Sequence, residues 1–154
     1  MWIEAASAVT FGNRPAGVDT TLRLASYAVI LDGEGRVAAV SVNVRGQSML
    51  WLPGGGRNGN ETPEQTIERE VREELGCGVQ VLQWIGDATQ FFFAADEDRW
   101  YEIHARFYLA ELTNQADSSG EYILQWIDSQ TQQHRFFHAC HTWACQRAFD
   151  NYER

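Results

Sequence analysis

Three glutamates near the middle of the chain are spaced so that their side chains can act together. Glu70, Glu73 and Glu74 stand at positions i, i+3 and i+4, so on a helix they share one face. Like charges at this spacing destabilise a bare helix, and crowded carboxylates resist full ionisation unless a cation lies among them. Oxygen ligands of this kind suit Mg²⁺ or Mn²⁺. Taken alone, the three residues are more typical of a solvated charged face than of a metal site.

The segment around the glutamates has the signals of a helix with defined ends. Thr62 is a candidate N-cap, proline occupies the first helical position, and Gln65 completes a capping box. Gly76 supplies a stop signal. The apolar stripe that this helix would bury consists of Ile67, Val71 and Leu75. The sequence therefore predicts a helix from Pro63 to Leu75 that carries the glutamates.

A longer pattern surrounds the glutamates. The segment reads Gly55-x5-Glu61-x7-Arg69-Glu70-Val71-x-Glu73-Glu74-x-Gly76-Cys77. It resembles the Nudix box, the signature of the Nudix hydrolase superfamily, and the chain is identified as a MutT-like bacterial Nudix protein. Seven fixed residues fall at the required spacing, a chance match on the order of 10⁻⁸ per starting position at ordinary residue frequencies.

The resemblance implies a fold and a reaction. The fold is an α/β (α+β) sandwich of the Nudix α/β/α type, in which a mixed sheet is flanked by helices within one domain over 1–154. The reaction is Mg²⁺-dependent hydrolysis, with Mn²⁺ as a substitute, of a nucleoside diphosphate linked to another moiety, by attack of water at phosphorus. Arg69 orients a glutamate and Glu61 completes that network. The implied metal ligands are Gly55, Glu70, Glu73 and Glu74.

The general base is an open choice among glutamates. Glu70 is the first candidate, because in this superfamily the base is a box glutamate or one on a later loop. Glu102 and Glu121 are the candidates outside the box, since each lies on or near a late strand that could face the helix. The alternative for both is an ordinary exposed carboxylate.

Substrate contacts are predicted on both sides of the box. The Gly54, Gly55 and Gly56 turn permits close approach of a ligand or of the helix to the backbone. Arginine clamps phosphate well, and the candidates for that role are Arg14, Arg23, Arg45 and Arg57. The runs Phe91–Phe93 and Trp100–Tyr101 flank an acidic loop, where one or two rings could stack on a nucleobase while the rest pack in the core.

Strand-like runs set the remaining architecture. Residues 22–31 and 37–44 surround a glycine-containing turn and predict a β-hairpin. Further strands are predicted at 49–52, 79–85, 90–93, 100–112 and 122–127, with a second helix from Gln133 to Phe149. The order of strands, helix, strands and helix favours a mixed sheet covered by helices.

Composition narrows the function further. The 154 residues carry a formal net charge of −9, and all 12 basic residues are arginine. This excludes a lysine-bearing phosphate loop and Schiff-base chemistry, and it argues against a nucleic-acid polymer as partner. No apolar run is long enough to span a membrane, and Met1-Trp2-Ile3-Glu4 does not resemble a secretory signal, so a cytoplasmic protein is expected.

Several alternatives stay open at this point. The substrate is a small phosphoanhydride such as a nucleoside triphosphate, a dinucleotide polyphosphate, a nucleotide sugar or ADP-ribose. The sequence does not decide between a monomer and a homodimer. A non-catalytic nucleotide-binding or sensor Nudix domain should have lost a box glutamate, and none is missing. A non-nucleotide diphosphate-processing enzyme of the same fold is the other alternative. The histidines and cysteines near the C-terminus lack the paired spacing of a zinc site.

Overall fold

The strands and helices alternate along the chain as the patterning predicts. The computed structural model describes Trp2 and residues 9–117, 119–128 and 136–151. The elements within these residues are β1 (Val9–Phe11), β2 (Thr21–Ile30), β3 (Arg36–Val44), β4 (Gln47–Trp51), β5 (Gly54–Gly56), α1 (Pro63–Leu75), β6 (Val79–Ala94), β7 (Arg99–Leu112), β8 (Leu124–Asp128) and α2 (Ala139–Asn151).

The described strands form two sheets. Five of them make a mixed sheet in the order β1-β6-β7-β2-β5, in which β1 runs parallel to β6 and β2 runs parallel to β7. Its other neighbours are antiparallel. The remaining three strands make an antiparallel sheet in the order β4-β3-β8. The mixed sheet that the sequence predicts is confirmed.

The two helices cover two separate hydrophobic clusters. Because side chains alternate along a strand, β2 gives Ala28 and Ile30 to the cluster under α1, and it gives Tyr27 and Val29 to the cluster under α2. Strands β3 and β7 divide their residues in the same way. This arrangement confirms the α/β sandwich with helices on both sides. Neither of these helices is long and apolar enough to cross a membrane.

The connection between β2 and β3 differs from its prediction. Asp32 organises the expected turn, since its Oδ1 accepts hydrogen bonds from the backbone N–H groups of Glu34 and Arg36, both at 2.9 Å. The strands on either side share only a single bridge, between Leu31 and Val37. The predicted hairpin was therefore wrong: β2 pairs with β5 and β7, whereas β3 pairs with β4 and β8.

Two other element boundaries also differ. The runs 79–85 and 90–93 belong to one strand, β6, whose ladder with β7 is interrupted by irregularities near Leu82 and Ile85. The C-terminal helix begins later than expected, at Ala139. The predicted start at Gln133 lies outside the described residues, and Phe137 donates its backbone N–H to Leu50 O at 2.9 Å, which ties it to β4 instead.

Candidate functional site

Local hydrogen bonds define both ends of α1. Thr62 Oγ1 accepts the backbone N–H of Gln65 at 3.1 Å, and Gln65 Oε1 accepts the backbone N–H of Thr62 at 3.0 Å. Gly76 ends the helix in the left-handed conformation with φ 69°. These contacts form the expected capping box and glycine stop, and the helix bounds agree with the prediction. They fix where α1 begins and ends.

The loop before β8 folds back onto the C-terminal end of α1. The backbone N–H groups of Glu121 and Tyr122 donate to the carbonyl oxygens of Glu73 and Glu74, each at 2.8 Å. The approach is so close that a Cβ on Gly120 would stand 2.5 Å from Glu74 O. The loop thereby satisfies helix carbonyls that have no partner within α1. It also places Glu121 beside the box glutamates.

Arg69 is the centre of the polar network on α1. Its Nε and Nη2 donate to the two carboxylate oxygens of Glu61 at 2.7 and 3.1 Å, and Nη2 also donates to Gly56 O at 2.9 Å. Its Nη1 donates to Glu70 Oε1 at 2.7 Å and to Glu73 at 3.2 Å. The hydrogen bonds from Arg69 lower the pKa of Glu61 to about 2, so Glu61 stays ionised.

Glu74 is the most buried of the box glutamates. Only 9% of it is exposed, and its Oε1 accepts the backbone N–H of Gly54 at 3.0 Å. Burial raises its pKa to about 9, and the negative charges of Glu70, Glu121 and Glu73 act in the same direction. Burial also raises the pKa of Glu70, which Arg69 counteracts. Two carboxyl groups thus lie in a place where added positive charge would be strongly favoured.

The glycine turn before α1 permits this close packing. A Cβ on Gly55 would lie 2.8 to 3.0 Å from the carboxylate atoms of Glu70, so no larger residue fits without displacing it. Gly54 has φ +142°, and a side chain there would collide with Ser26 O and the Tyr27 backbone. Strand β5, which contains these glycines, pairs with β2. The sheet therefore holds the turn directly against the glutamates.

A cavity of about 300 Å³, called the glutamate cavity below, opens in front of Glu70 and Glu74. Its lining residues are Arg23, Tyr27, Val40, Val42, Trp51, Gly54, Gly55, Glu70, Glu74 and Tyr122. Arg23 brings the positive charge of this lining, and its charge opposes the burial that raises the pKa of Glu70. A cation and carboxylates facing one space suit a phosphate-bearing ligand together with a metal ion.

A second cavity of about 270 Å³ continues from the first and is called the aromatic cavity. Trp51 and Phe137 stack with ring centroids 4.7 Å apart, and Phe92 meets His138 at 5.0 Å. Burial lowers the pKa of His138 to about 4, so its ring is uncharged at neutral pH. The full lining is Arg23, Tyr27, Val44, Trp51, Phe92, Glu97, Tyr101, Ile103, Phe137 and His138.

The remaining candidates lie apart from the glutamate cavity. Arg57 packs its guanidinium 5.7 Å from the centroid of the Trp2 ring, and Arg45 lines a different cavity of about 520 Å³. Glu102 Oε2 lies 2.6 Å from His104 Nε2 on β7. Arg14 Nη2 donates to Val18 O at 3.3 Å. Of the four candidate arginines, only Arg23 therefore lines the cavity of the box carboxylates. Of the two candidate glutamates outside the box, Glu121 is the one whose negative charge raises the pKa of Glu74.

Several residues of the two cavities were not singled out from the sequence. Tyr27, Phe137 and Tyr122 come from three separate segments, and no motif connects them with the box. Among the predicted aromatic runs, Phe92 and Tyr101 face the aromatic cavity. Phe93 and Trp100 instead pack on each other at 5.3 Å. Alternation along β6 and β7 explains this division, although the sequence does not indicate which alternate faces the cavity.

The box residues offer a suitable donor set for a divalent cation. No group of three His, Cys, Asp or Glu side chains within the described residues is already arranged to hold a metal ion. Arg69 Nη1 binds both Glu70 and Glu73, and the Glu73 side chain is 53% exposed, which leaves it room to reorient. The available ligands are hard oxygens, and burial raises the pKa of Glu74, with the negative charges of Glu70, Glu121 and Glu73 acting in the same direction. These features fit Mg²⁺ or Mn²⁺.

Comparison with known proteins agrees with the box. The NUDIX domain family model matches residues 21–141, whereas curated protein sequences give no significant match. A NUDIX hydrolase from Nitrosomonas europaea has a TM-score of 0.68 at 16% identity, covering 86% of this chain and 92% of its own. A MutT NUDIX hydrolase from Burkholderia pseudomallei has a TM-score of 0.66 at 20% identity, and the match covers 82% of this chain and 98% of that protein. An ADP-ribose pyrophosphatase from Streptococcus suis has a TM-score of 0.61 at 18% identity, and the match covers 87% of this chain and 96% of that protein. The chain therefore belongs to the NUDIX hydrolase family, and the resemblance stated from the box is confirmed.

Proposed function

We propose that the protein is a Mg²⁺-dependent pyrophosphohydrolase that cleaves a phosphoric anhydride in a nucleoside diphosphate derivative by attack of water at phosphorus. One observation carries this proposal: Glu70, Glu74 and Arg23 line one cavity, and that cavity continues into a second one lined by aromatic rings. The first suits charged phosphates and the second suits a flat base. The names of the MutT and pyrophosphatase neighbours agree with this activity.

Glu70, Glu73 and Glu74, with the Gly55 carbonyl, would hold the metal ion. When bound, Mg²⁺ supplies charge neutralisation for the phosphoryl oxygens and makes a coordinated water more acidic. Arg69 holds Glu70 in place through its hydrogen bond at 2.7 Å, while Glu61 holds Arg69. Arg23, which lines the same cavity, would bind a phosphate. Much of the barrier in such a reaction is lowered by positioning and charge stabilisation.

Glu70 is the group that we propose as general base. Its carboxylate lies against Gly55 on the cavity wall, so a water between it and a bound phosphate could lose its proton to Glu70. Glu121 is the second choice, because the loop before β8 holds it beside Glu74. Glu102 is the weakest, since it pairs with His104. The kcat of Glu70→Gln, Glu121→Gln and Glu102→Gln variants ranks the three, and the largest loss in an outside variant would contradict this order.

A substrate screen tests the overall proposal. Phosphate release and product masses are measured for nucleoside triphosphates, dinucleotide polyphosphates, nucleotide sugars and ADP-ribose, with Mg²⁺ and with excess chelator. Turnover of at least one nucleotide that disappears with chelator is the expected result. Nucleotide binding without turnover of any phosphoanhydride would favour a sensor domain, the alternative that shares this fold.

A further inference from the structure

Three cavities follow one another across the molecule. The glutamate and aromatic cavities have three lining residues in common, namely Arg23, Tyr27 and Trp51. The aromatic cavity shares four others with the outer cavity of about 520 Å³ that Arg45 lines, namely Val44, Phe92, Glu97 and Phe137. No described residue lines both the glutamate cavity and the outer cavity. Glu97 therefore stands at the end of the aromatic cavity that is farthest from the box carboxylates.

The Glu97 carboxylate is held in a defined orientation. Glu97 ends a 3₁₀ turn over Ala95–Glu97 at the tip of the β6–β7 connection. The hydroxyl of Tyr101 donates to Glu97 Oε1 at 2.6 Å, and no ion pair to Glu97 is formed within the described residues. One carboxylate oxygen therefore keeps its full capacity to accept hydrogen bonds from a ligand.

The charges of the aromatic cavity are divided between its two ends. Arg23 lies at the end next to the glutamate cavity, and Glu97 lies at the other end. Aromatic and aliphatic side chains line the space between them, together with the buried ring of His138. A ligand that fills this space therefore needs a negative group at the Arg23 end, a flat apolar middle, and hydrogen-bond donors at the Glu97 end.

The donor pattern of the ligand separates the common nucleobases. Guanine carries two adjacent donors, N1–H and the N2 amino group, and a carboxylate can accept both in parallel. Hypoxanthine retains N1–H and lacks the amino group. Adenine and cytosine present an amino group beside a ring nitrogen that accepts, and uracil presents one N–H between two carbonyl oxygens. In these last three bases an acceptor would face the carboxylate.

We infer that Glu97 determines the base specificity of the proposed substrate site by accepting two hydrogen bonds from a guanine ring held in the aromatic cavity, with Tyr101 as the residue that positions the carboxylate. This inference rests on the proposed function, because it takes the glutamate cavity as the phosphate end of the substrate. It goes further by stating which base the site prefers and which side chain makes the choice.

Binding of nucleoside monophosphates tests the inference without requiring turnover. Calorimetry in Mg²⁺ buffer measures the Kd of GMP, IMP, AMP and UMP for the unmodified protein. GMP should bind at least about tenfold more tightly than each of the others, the difference expected for one charge-assisted hydrogen bond. Glu97→Gln should weaken GMP binding by about 10- to 100-fold and reduce its preference over AMP. Tyr101→Phe should lower the preference for GMP over IMP, measured as the ratio of their affinities, by about threefold, because the Glu97 carboxylate loses its fixed orientation.

Asp96→Asn is the matched control for Glu97→Gln. Asp96 lies in the same turn and loses the same charge, but it lines only the outer cavity, so the order of the four nucleotides should not change. Equal affinity for GMP and AMP, or an unchanged preference in Glu97→Gln, would overturn the inference while a positive hydrolysis screen left the proposed function standing. Absence of both nucleotide binding and hydrolysis would overturn both. Because Glu97 is exposed, its substitution should leave the unfolding temperature unchanged.

Discussion

The two helices have the same length and opposite chemistry. Each has 13 residues. Helix α1 presents the carboxylates of Glu70 and Glu74 to the glutamate cavity, and specific hydrogen bonds close its N-terminal end. Helix α2 buries small apolar residues, two thiols and the ring of His141 against the sheet. The comparison shows that α1 combines a buried apolar stripe with polar contacts at its cap and around Arg69. Helix α2 is positioned mainly by close packing of uncharged groups.

The difference extends to the titration of the buried groups. Burial of Glu74 on α1 raises its pKa to about 9. Burial of His141 on α2 lowers its pKa well below the usual range, and Leu52 donates its backbone N–H to His141 Nδ1 at 3.1 Å. Both groups are uncharged for the same physical reason, the cost of moving a charge out of water. Only the carboxylate faces a cavity where a cation could reverse that state.

The largest effect is expected from removing the charge of one α1 carboxylate. Glu74→Gln should lower turnover by at least about 100-fold, because loss of a direct ligand should exceed the 10- to 100-fold typical of outer contacts. Glu73→Gln should have a comparable effect. In the Glu74→Gln variant the amide oxygen of the new side chain can still accept the Gly54 N–H, so the fold should persist. Steady-state kinetics with Mg²⁺ titration measures the loss, Glu68→Gln on the exposed face is the control, and full activity would refute the metal assignment.

The next largest effect should be on the pH dependence of stability, and it should come from His138, which precedes α2. The folded pKa of His138 is about 4, below its unfolded value near 6.5. The contribution of His138 to the free energy of unfolding is therefore present above pH 6.5 and is lost as the pH falls. The reason is that the unfolded state binds a proton in this pH range and the folded state does not. Between pH 7 and 5 the parent should lose about 2 kcal/mol more unfolding free energy than His138→Phe. Urea unfolding at both pH values measures this difference, and parallel pH profiles would contradict it.

The forked contact of Arg69 should give a smaller effect. Arg69→Lys retains the charge but cannot bind both oxygens of Glu61 in parallel, so Glu70 should lose its orientation. We expect kcat to fall about tenfold, in the range of lost outer-shell contacts, with little change in KM. Arg72→Lys, on the exposed side of the same helix, is the control. An equal loss in both variants would contradict this assignment, because Arg72 does not bind Glu61 and the effect would then not be specific to the forked contact.

The smallest effect should come from the α1 cap. Thr62→Ala removes the oxygen that accepts the Gln65 N–H and should lower the free energy of unfolding by about 1 kcal/mol. Thr62→Ser retains the oxygen and should be close to the parent. Thermal unfolding of the three proteins measures the difference. Stability unaffected by Thr62→Ala would mean that the cap contributes nothing measurable and that the packing of the apolar stripe holds α1.

The sequence by itself determined helix α1 and its box. Both rest on contacts between residues close in the chain: the capping pair, the glycine stop, the apolar stripe and the glutamates three and four residues apart. Local chemistry of this kind can be read from spacing, and so the bounds of α1 agreed and the family assignment was confirmed. The mixed sheet followed because the order of elements limits the ways in which they can pack.

Tertiary structure decided the partners of the strands and the walls of the cavities. Residues 22–31 and 37–44 have the pattern of a hairpin, yet their edges bind strands from distant parts of the chain. Likewise, Glu121 rather than Glu102 comes to the box because backbone N–H groups of its loop meet unpaired carbonyls at the end of α1. Hydrogen bonds between distant segments leave no periodic trace in a sequence, because any residue except proline can donate them.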